Sequence, residues 1–409
     1  MAQSTRIGDA LYGKHSYTAT EDNQLSFDRG DRLVVSAASG SPYWCWCSFD
    51  GRHGYAPVNH LATQSEWDEM KAEEGWQDDQ YFDSYSDLKL HLEMLEDRPR
   101  TLAYRKAVEL GAEYIRDKVV LDVGCGTGIL SLFAARLGKA RTVYAVEASD
   151  MAQYASAVAK QNGLDDCISV IEGKLESVEI PEEVDLIISE WMGTLLIFEF
   201  MIETVIYARD RYLKPDGVMW PSHANLYLVP CSAHKSYNDK VSFWSSQYGF
   251  DLSPLISLAK TQFFQKPIFN HTLDSDDCLA FPTCILDMNT KHVKIADVED
   301  IYSEFKFEVT KSGTFHGFAS WFEVHFECPG LPNDVKPIFL STGPDHELTH
   351  WKQDLFMLDE PEVVEVGQEI CGSIRIRRNS KWRRHLKATI KWETSLHAKE
   401  KVKTFSLWR

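Results

Sequence analysis

Val119-Val120-Leu121-Asp122-Val123-Gly124-Cys125-Gly126-Thr127-Gly128-Ile129-Leu130 is the stretch whose reading decides the fold. Its aliphatic start reads as a fully buried strand, its alternate glycines as a turn that lets a ligand touch backbone, and its apolar end as the opening of a helix. Nineteen residues after Gly128, Glu147 closes the next apolar run, where a carboxylate can accept hydrogen bonds from both hydroxyls of a ribose. That pair of features predicts a nucleoside site. Outward from it, between about Tyr81 and Pro221, Lys118-Asp122, Thr142-Glu147, Ile168-Glu172 and Val184-Glu190 read as strands separated by amphipathic helical stretches. Such alternation implies a parallel α/β sheet.

A dinucleotide site would show Gly-x-Gly-x-x-Gly, whose amides and helix N-terminus hold a pyrophosphate. The spacing here is Gly-x-Gly-x-Gly, preceded by Asp122. It resembles the first motif of class I S-adenosylmethionine methyltransferases, whose cofactor carries a sulfonium and an ammonium and no phosphate. The resemblance implies a Rossmann-like fold in which Asp122, Gly124, Gly126 and Glu147 hold the cofactor. Glu176, after a turn at Gly173, stands where such folds contact the adenine; spacing alone fits a solvated surface acid equally well.

Ser189-Glu190-Trp191-Met192-Gly193-Thr194-Leu195-Leu196-Ile197-Phe198-Glu199 leaves the end of a hydrophobic strand and reads as passing through its glycine into a helix. Two carboxylates on either side of a turn can converge on one planar cation through paired hydrogen bonds. The segment resembles the double-glutamate loop of the protein arginine methyltransferases. A second signature of that family is similar to Thr349-His350-Trp351, and a third, the N-terminal cofactor lid, to Tyr81-Phe82-Asp83-Ser84-Tyr85, followed at matching spacings by His91, Met94, Asp97 and Arg100. The likeness runs from Tyr81 to the C-terminus. It implies that Glu190 and Glu199 anchor a substrate guanidinium and that His350 and Asp97 form a pair able to accept the released proton. It further implies that Phe82, His91, Met94 and Arg100 contact the cofactor, with Arg100 and His91 on its carboxylate, and that Tyr85, Met192 and Trp351 line the substrate pocket. By the same likeness Met94 would line the target nitrogen's pocket, as it does in members that make asymmetric dimethylarginine. Thr194 departs from the pattern, standing where most relatives carry an aromatic ring. A nucleobase enzyme would carry a Pro-Pro-aromatic segment, and the chain has no Pro-Pro.

The chain has 409 residues, more than one core usually supports, and its formal charge of −18 argues against a nucleic-acid partner. No apolar stretch is long enough for a membrane span. The N-terminus lacks a secretory signal, which predicts the nucleus and cytoplasm, with the nine cysteines as thiols and no structural metal. Residues 7–62, with turn signals at Gly30-Asp31, Ser39-Gly40 and Asp50-Gly51, read as a small β-barrel. It is similar to a Src-homology 3 domain, which implies a shelf of Tyr17, Trp44 and Pro57 for proline-rich ligands, with Glu21 and Asp22 beside it; His15 and His60 replace usual tyrosines. Residues 63–80 read as an acidic linker without period. Residues 81–221 form the cofactor domain and 222–409 an antiparallel β-barrel domain, including an arm at about 232–254 that in the family docks on a second subunit. The expected protein is a homodimeric methyltransferase acting on arginine in proteins such as histones. The alternative is an adaptor that recruits partners through its barrel.

Overall fold

The structure is a computed structural model that describes residues 6–38, 41–330, 338–395 and 397–408. The Ser39-Gly40 turn signal and the first five residues lie outside the described residues. The chain divides into two compact units, Met1–Gln80 and Tyr81–Arg409.

In the first unit, β1 (Ala10–Gly13), β2 (Arg32–Ala37), β3 (Trp44–Phe49), β4 (Arg52–Pro57) and β5 (Leu61–Thr63) form one antiparallel sheet in the order β4-β3-β2-β1-β5. Period-2 alternation sends Leu33 with Val35, and Cys45 with Cys47, to the same inner face, where they pack on Leu11, Phe27 and Leu61. All nine cysteines are free thiols.

The acidic stretch is not an irregular linker. It forms α1 (Gln64–Ser84), which carries the chain from the first unit into the second. Its start is a reciprocal cap: Thr63 N–H donates to the Glu66 carboxylate at 2.8 Å, and Glu66 N–H donates to the Thr63 hydroxyl at 3.4 Å. Trp67 stacks on Tyr12 at 5.7 Å. Glu, Gln, Met, Lys and Ala favour a helix without any apolar stripe, so composition and cap outweigh the missing period.

In the second unit, α2 (Leu88–Glu96) is capped by Asp87, α3 (Arg98–Leu110) by Asp97, and α4 (Ala112–Ile115) leads into the sheet. There β6 (Val119–Val123), α5 (Ile129–Arg136), β7 (Thr142–Glu147), α6 (Met151–Gln161), β8 (Ile168–Glu172), β9 (Val184–Ile188), α7 (Ile202–Tyr212) and β10 (Leu213–Trp220) build a parallel sheet in the order β10-β9-β6-β7-β8. The glycine loop follows central β6, and the clamp loop follows its neighbour β9. Both therefore open at the same sheet edge, where ligands of open α/β sheets bind.

Beyond β11 (His223–Cys231), α8 (His234–Lys240) and α9 (Ile256–Phe263) occupy the expected arm and extend it, with Phe243, Tyr248 and Phe250 exposed. Then β12 (Ile268–His271), β13 (Thr283–Asn289), α10 (Ile295–Glu299), β14 (Asp300–Glu308), β15 (Gly313–Phe326), β16 (Ile338–Ser341), β17 (Gln353–Val364), β18 (Glu369–Arg378), β19 (Leu386–Thr394) and β20 (His397–Leu407) complete two antiparallel sheets. One runs β12-β17-β15-β11-β13, with β16 on β15; the other runs β14-β18-β19-β20. Phe305, Phe307, Phe318 and Trp392 pack in the same continuous core as Leu121 and Ile187 of the parallel sheet. The α/β and β regions thus share one hydrophobic interior.

Candidate active site

At the carboxyl end of β6 the backbone is left-handed at Gly124 (φ +70°) and Gly126 (φ +54°). A Cβ at Gly124 would lie 2.4 Å from Met201 Cε, and one at Gly126 would lie 3.0 Å from His91 Cε1, so only glycine leaves the wall open. Glu147 is aimed at this loop from the end of β7. Its Oε2 accepts Gly126 N–H at 2.8 Å and its Oε1 accepts Ser149 N–H at 2.9 Å. Each oxygen keeps a lone pair for a further donor such as a hydroxyl. Phe82, His91, Met94, Gly124, Gly126 and Glu176 border the same cavity, of about 230 Å³. Glu176 also accepts the Thr204 hydroxyl at 2.7 Å, which fixes its carboxylate at that wall.

Asp122 is not on that wall. It lies wholly buried behind the glycine loop, where Oδ2 accepts the Ser131 hydroxyl at 2.6 Å and Oδ1 has no partner. Burial pushes its carboxyl up to about 7 despite the Ser131 bond. The alternation along β6 turns the Asp122 side chain toward Ser131 of α5 instead of toward the cavity.

The second carboxylate pair lies opposite. Glu190 accepts Nε and Nη2 of Arg100 on Oε2, both at 2.9 Å, and Met192 N–H on Oε1 at 3.2 Å. Arg100 in turn donates Nη1 to the Met94 carbonyl at 3.0 Å. The guanidinium assigned to the cofactor carboxylate thus borders the cavity while paired with Glu190. Glu199 accepts the Tyr85 hydroxyl on Oε2 at 2.9 Å. Between the two acids there is no helix: α7 begins only at Ile202, and Leu195, Leu196, Glu199 and Phe200 all take left-handed backbone, with φ of +51°, +64°, +71° and +60°. Each such residue costs about 1–2 kcal/mol. The loop is held because Leu195, Leu196, Ile197, Phe198 and Phe200 are buried, and because Leu195 N–H donates to Asp354 Oδ2 at 2.8 Å. Asp354, pushed up to about 7 by its burial, is a buttress that the sequence reading missed. Gly193 closes the turn, its N–H donating to the Leu196 carbonyl at 2.8 Å.

His350 and Asp97 meet as expected. Asp97 Oδ2 receives both His350 Nδ1, at 2.6 Å, and His350 N–H, at 2.9 Å, while Oδ1 caps α3 through Arg100 N–H at 3.0 Å. Asp97 is therefore helix cap and histidine partner at once. Burial alone would raise its carboxyl, but the His350 ring, the His350 N–H and the Arg100 N–H together hold it below the usual carboxylate range. An ionised Asp97 fixes the proton on Nδ1 and leaves Nε2 as the ring's acceptor. Trp351 places this loop against the clamp by donating Nε1 to the Met192 carbonyl at 3.2 Å. His91 donates Nε2–H to the Tyr85 carbonyl at 2.7 Å, joining α2 to the lid segment. Tyr85, Met192, Thr194 and Trp351 all border the cavity. Arg384, from the loop between β18 and β19, borders it too, and no sequence signal pointed there.

The cavity is bordered by five acids, Glu93, Glu147, Glu176, Glu190 and Glu199, against three fixed cations, Arg100, Lys174 and Arg384. The set fits a nucleoside bearing cationic groups, such as S-adenosylmethionine, with Glu147, Glu176, Arg100 and His91 all at the cavity border.

In the first unit, Tyr17 and Trp44 are half-buried with ring centroids 6.1 Å apart, and Trp44 pairs with Pro57 across β3 and β4. His60 lies edge-on to Tyr17 at 5.4 Å and to His15 at 5.9 Å. Tyr17 and Trp44 thus cluster with the two imidazoles on the barrel.

Known families match along the chain: a variant SH3 domain at residues 14–62, a methyltransferase domain at 120–217, and an arginine methyltransferase oligomerization subdomain at 222–397. Protein arginine N-methyltransferase 2 of Homo sapiens is 48% identical over 400 residues, which cover 96% of this chain and 91% of that protein. The Xenopus laevis protein of the same name is 43% identical, with the same coverage. Among solved structures, a Trypanosoma brucei arginine methyltransferase enzyme-prozyme heterotetrameric complex with AdoHcy superposes with a TM-score of 0.73 at 33% identity, covering 80% of this chain and 100% of that one. Arabidopsis thaliana protein arginine methyltransferase 10, described as uniquely open, gives 0.72 at 34% identity with the same coverage. By glycine cradle, glutamate clamp and these matches together, the chain belongs to the protein arginine N-methyltransferase family.

Proposed function

We propose that this chain transfers the methyl group of S-adenosylmethionine to a terminal guanidino nitrogen of arginine in proteins, histone tails among them, and that its products are mono- and asymmetric dimethylarginine. One observation carries the reading. Glu190 and Glu199 face the same cavity as Glu147, so a clamp for a planar cation and a cradle for a nucleoside share one space.

The bound donor supplies a methyl group on a sulfonium, which departs as a neutral thioether. A guanidinium stays protonated to about pH 12 or above and is a poor nucleophile, so the chain must localise its charge. Glu190 and Glu199 do this by drawing positive charge toward the nitrogens they hold, which leaves the remaining terminal nitrogen richer in electrons. Arg100 and Tyr85 fix the two carboxylates in advance, so little reorganisation accompanies the reaction. The proton lost from the guanidinium is taken by His350 Nε2, with Asp97 stabilising the imidazolium.

Met94 at the pocket wall supports asymmetric dimethylation. The exposed Phe243, Tyr248 and Phe250 beside α8 support contact with a second copy, as a homodimer. The Tyr17-Trp44-Pro57 shelf supports proline-rich ligands, and the reading places the protein in nucleus and cytoplasm. The test is mass spectrometry of an Arg-Gly-rich peptide and a histone-tail peptide after incubation with the donor, beside Glu190→Gln. Methylated arginine from the wild type alone is expected. Equal background from both proteins would overturn the reading and leave the adaptor alternative.

A further inference from the structure

We propose that Arg384 is a positioning residue that latches the cofactor lid to the substrate clamp, so that the two halves of the site are set together. This rests on the methyltransferase reading above.

The loop between β18 and β19 brings Arg384 to the place where the lid end of α1 meets the double-glutamate loop. Its guanidinium carbon lies 3.7 Å from the centroid of the Tyr81 ring and 5.5 Å from that of Phe82. Its Nη1 donates to the Glu199 carbonyl at 2.8 Å, and Glu199 N–H donates to the Arg384 carbonyl at 3.1 Å. Glu199 is thus held through both of its backbone polar groups by one residue. The hold matters because Glu199 is left-handed, a conformation that a non-glycine residue keeps only when its surroundings enforce it.

The neighbouring contacts fix the latch itself. Arg383 Nη2 bonds the Glu203 carboxylate at 2.8 Å, and Arg378 lies 3.8 Å over the Phe200 ring, so the hairpin also grips the residues that follow Glu199. A guanidinium suits this position: its flat face covers a ring while its edge donates to a carbonyl. A lysine ammonium has the charge but not the plane. Tyr85 then links the Glu199 carboxylate to the same lid segment through its hydroxyl. Lid and clamp are therefore joined twice, once at the Glu199 backbone through Arg384 and once at its carboxylate through Tyr85.

The full chain, with Arg384→Ala, Arg384→Lys, Tyr81→Leu and the Arg384→Ala/Tyr81→Leu double variant, tests this. Affinity for S-adenosylhomocysteine is measured by calorimetry, and kcat and KM with an arginine peptide are measured separately. Arg384→Ala is expected to weaken S-adenosylhomocysteine several-fold and to lower kcat tenfold or more at an unchanged melting temperature. Arg384→Lys should recover less than half of either loss. The double variant should bind no more weakly than Arg384→Ala alone, because both changes open the same contact. Affinity and kcat within threefold of wild type, full rescue by lysine, or multiplicative losses in the double variant would each overturn the latch. Were the wild type to transfer no methyl group, the function would fall, and the affinity cycle would still decide whether lid and clamp are latched.

Discussion

Gly193→Ala should damage turnover while sparing donor binding. A Cβ at Gly193 would lie 2.3 Å from the Phe198 carbonyl oxygen and 3.1 Å from its carbon. Both are backbone atoms, so no rotamer change relieves the clash. Restoring even the shortest separation seen for real side chains, 3.0 Å, requires Gly193 and Phe198 to part by about 0.7 Å. Phe198 adjoins Glu199, and Gly193 lies three residues after Glu190, so this movement changes the distance between the two carboxylates. Misplacement near 1 Å in a reactive geometry costs on the order of 100-fold in rate, equivalent to about 2.7 kcal/mol. Overpacking would also cost about 1–3 kcal/mol of stability. The nucleoside cradle at Gly124, Gly126 and Glu147 is on a different loop and should keep its affinity. The assay pairs calorimetric titration of S-adenosylhomocysteine with steady-state methylation of an arginine peptide. A Gly193→Ala protein within threefold of wild-type kcat would refute the reasoning, as would one that loses donor affinity in the same proportion as rate.

Gly126→Ala should show the reverse order of damage: its Cβ meets His91 at 3.0 Å and its φ is +54°, so S-adenosylhomocysteine affinity should fall tenfold or more before folding fails, read by the same titration. Tyr85→Phe removes a hydrogen bond to a carboxylate, worth about 1.5–3 kcal/mol, so peptide kcat/KM should drop about 10- to 100-fold; an unchanged value would remove Tyr85 from the clamp. Asp122→Asn tests the buried acid. Because burial raises the folded Asp122 to about 7, the wild type is penalised as pH rises from the ordinary carboxylate value of 3.8 toward 7, by up to about 4 kcal/mol at 1.36 per unit. The donor-free variant should therefore melt above the wild type at pH 8, with the gap closing toward pH 4. A gap independent of pH would show that Asp122 is ionised in the folded protein at no cost.

What was legible in the sequence was what backbone chemistry writes locally. Alternate glycines announced the loop after β6, and Glu147 stood at its expected distance because one helix, α5, and one strand, β7, separate it from that loop by a nearly fixed length. The acidic helix was misread for a physical reason: a helix that buries little has no apolar period, and the remaining signal was the Thr63-x-x-Glu66 cap. Asp122 was misassigned because a strand's alternation points adjacent residues to opposite faces, and proximity to the motif says nothing about which face opens on the cavity.

The clamp shows the deeper limit. Glu190 and Glu199 could be found because two acids flank a glycine turn, but nothing in residues 189–200 says that four of them are left-handed. Beside the burial of the loop's apolar residues, that conformation is held by Asp354, which binds Leu195 N–H from β17, and by Arg384, which binds Glu199 from the loop after β18. Those supports are 159 and 185 residues distant from the groups they hold. Thr194 must be judged in that setting. The wall it shortens is part of a loop whose shape is fixed by buried neighbours and by two remote residues, so replacing a ring with a hydroxyl there changes the width of the pocket without releasing the carboxylates. It follows that Thr194 should affect KM for bulky or constrained arginine contexts more than kcat, whereas damage at Gly193, Asp354 or Arg384 should reach kcat, because those positions help to set the distance between the two glutamates.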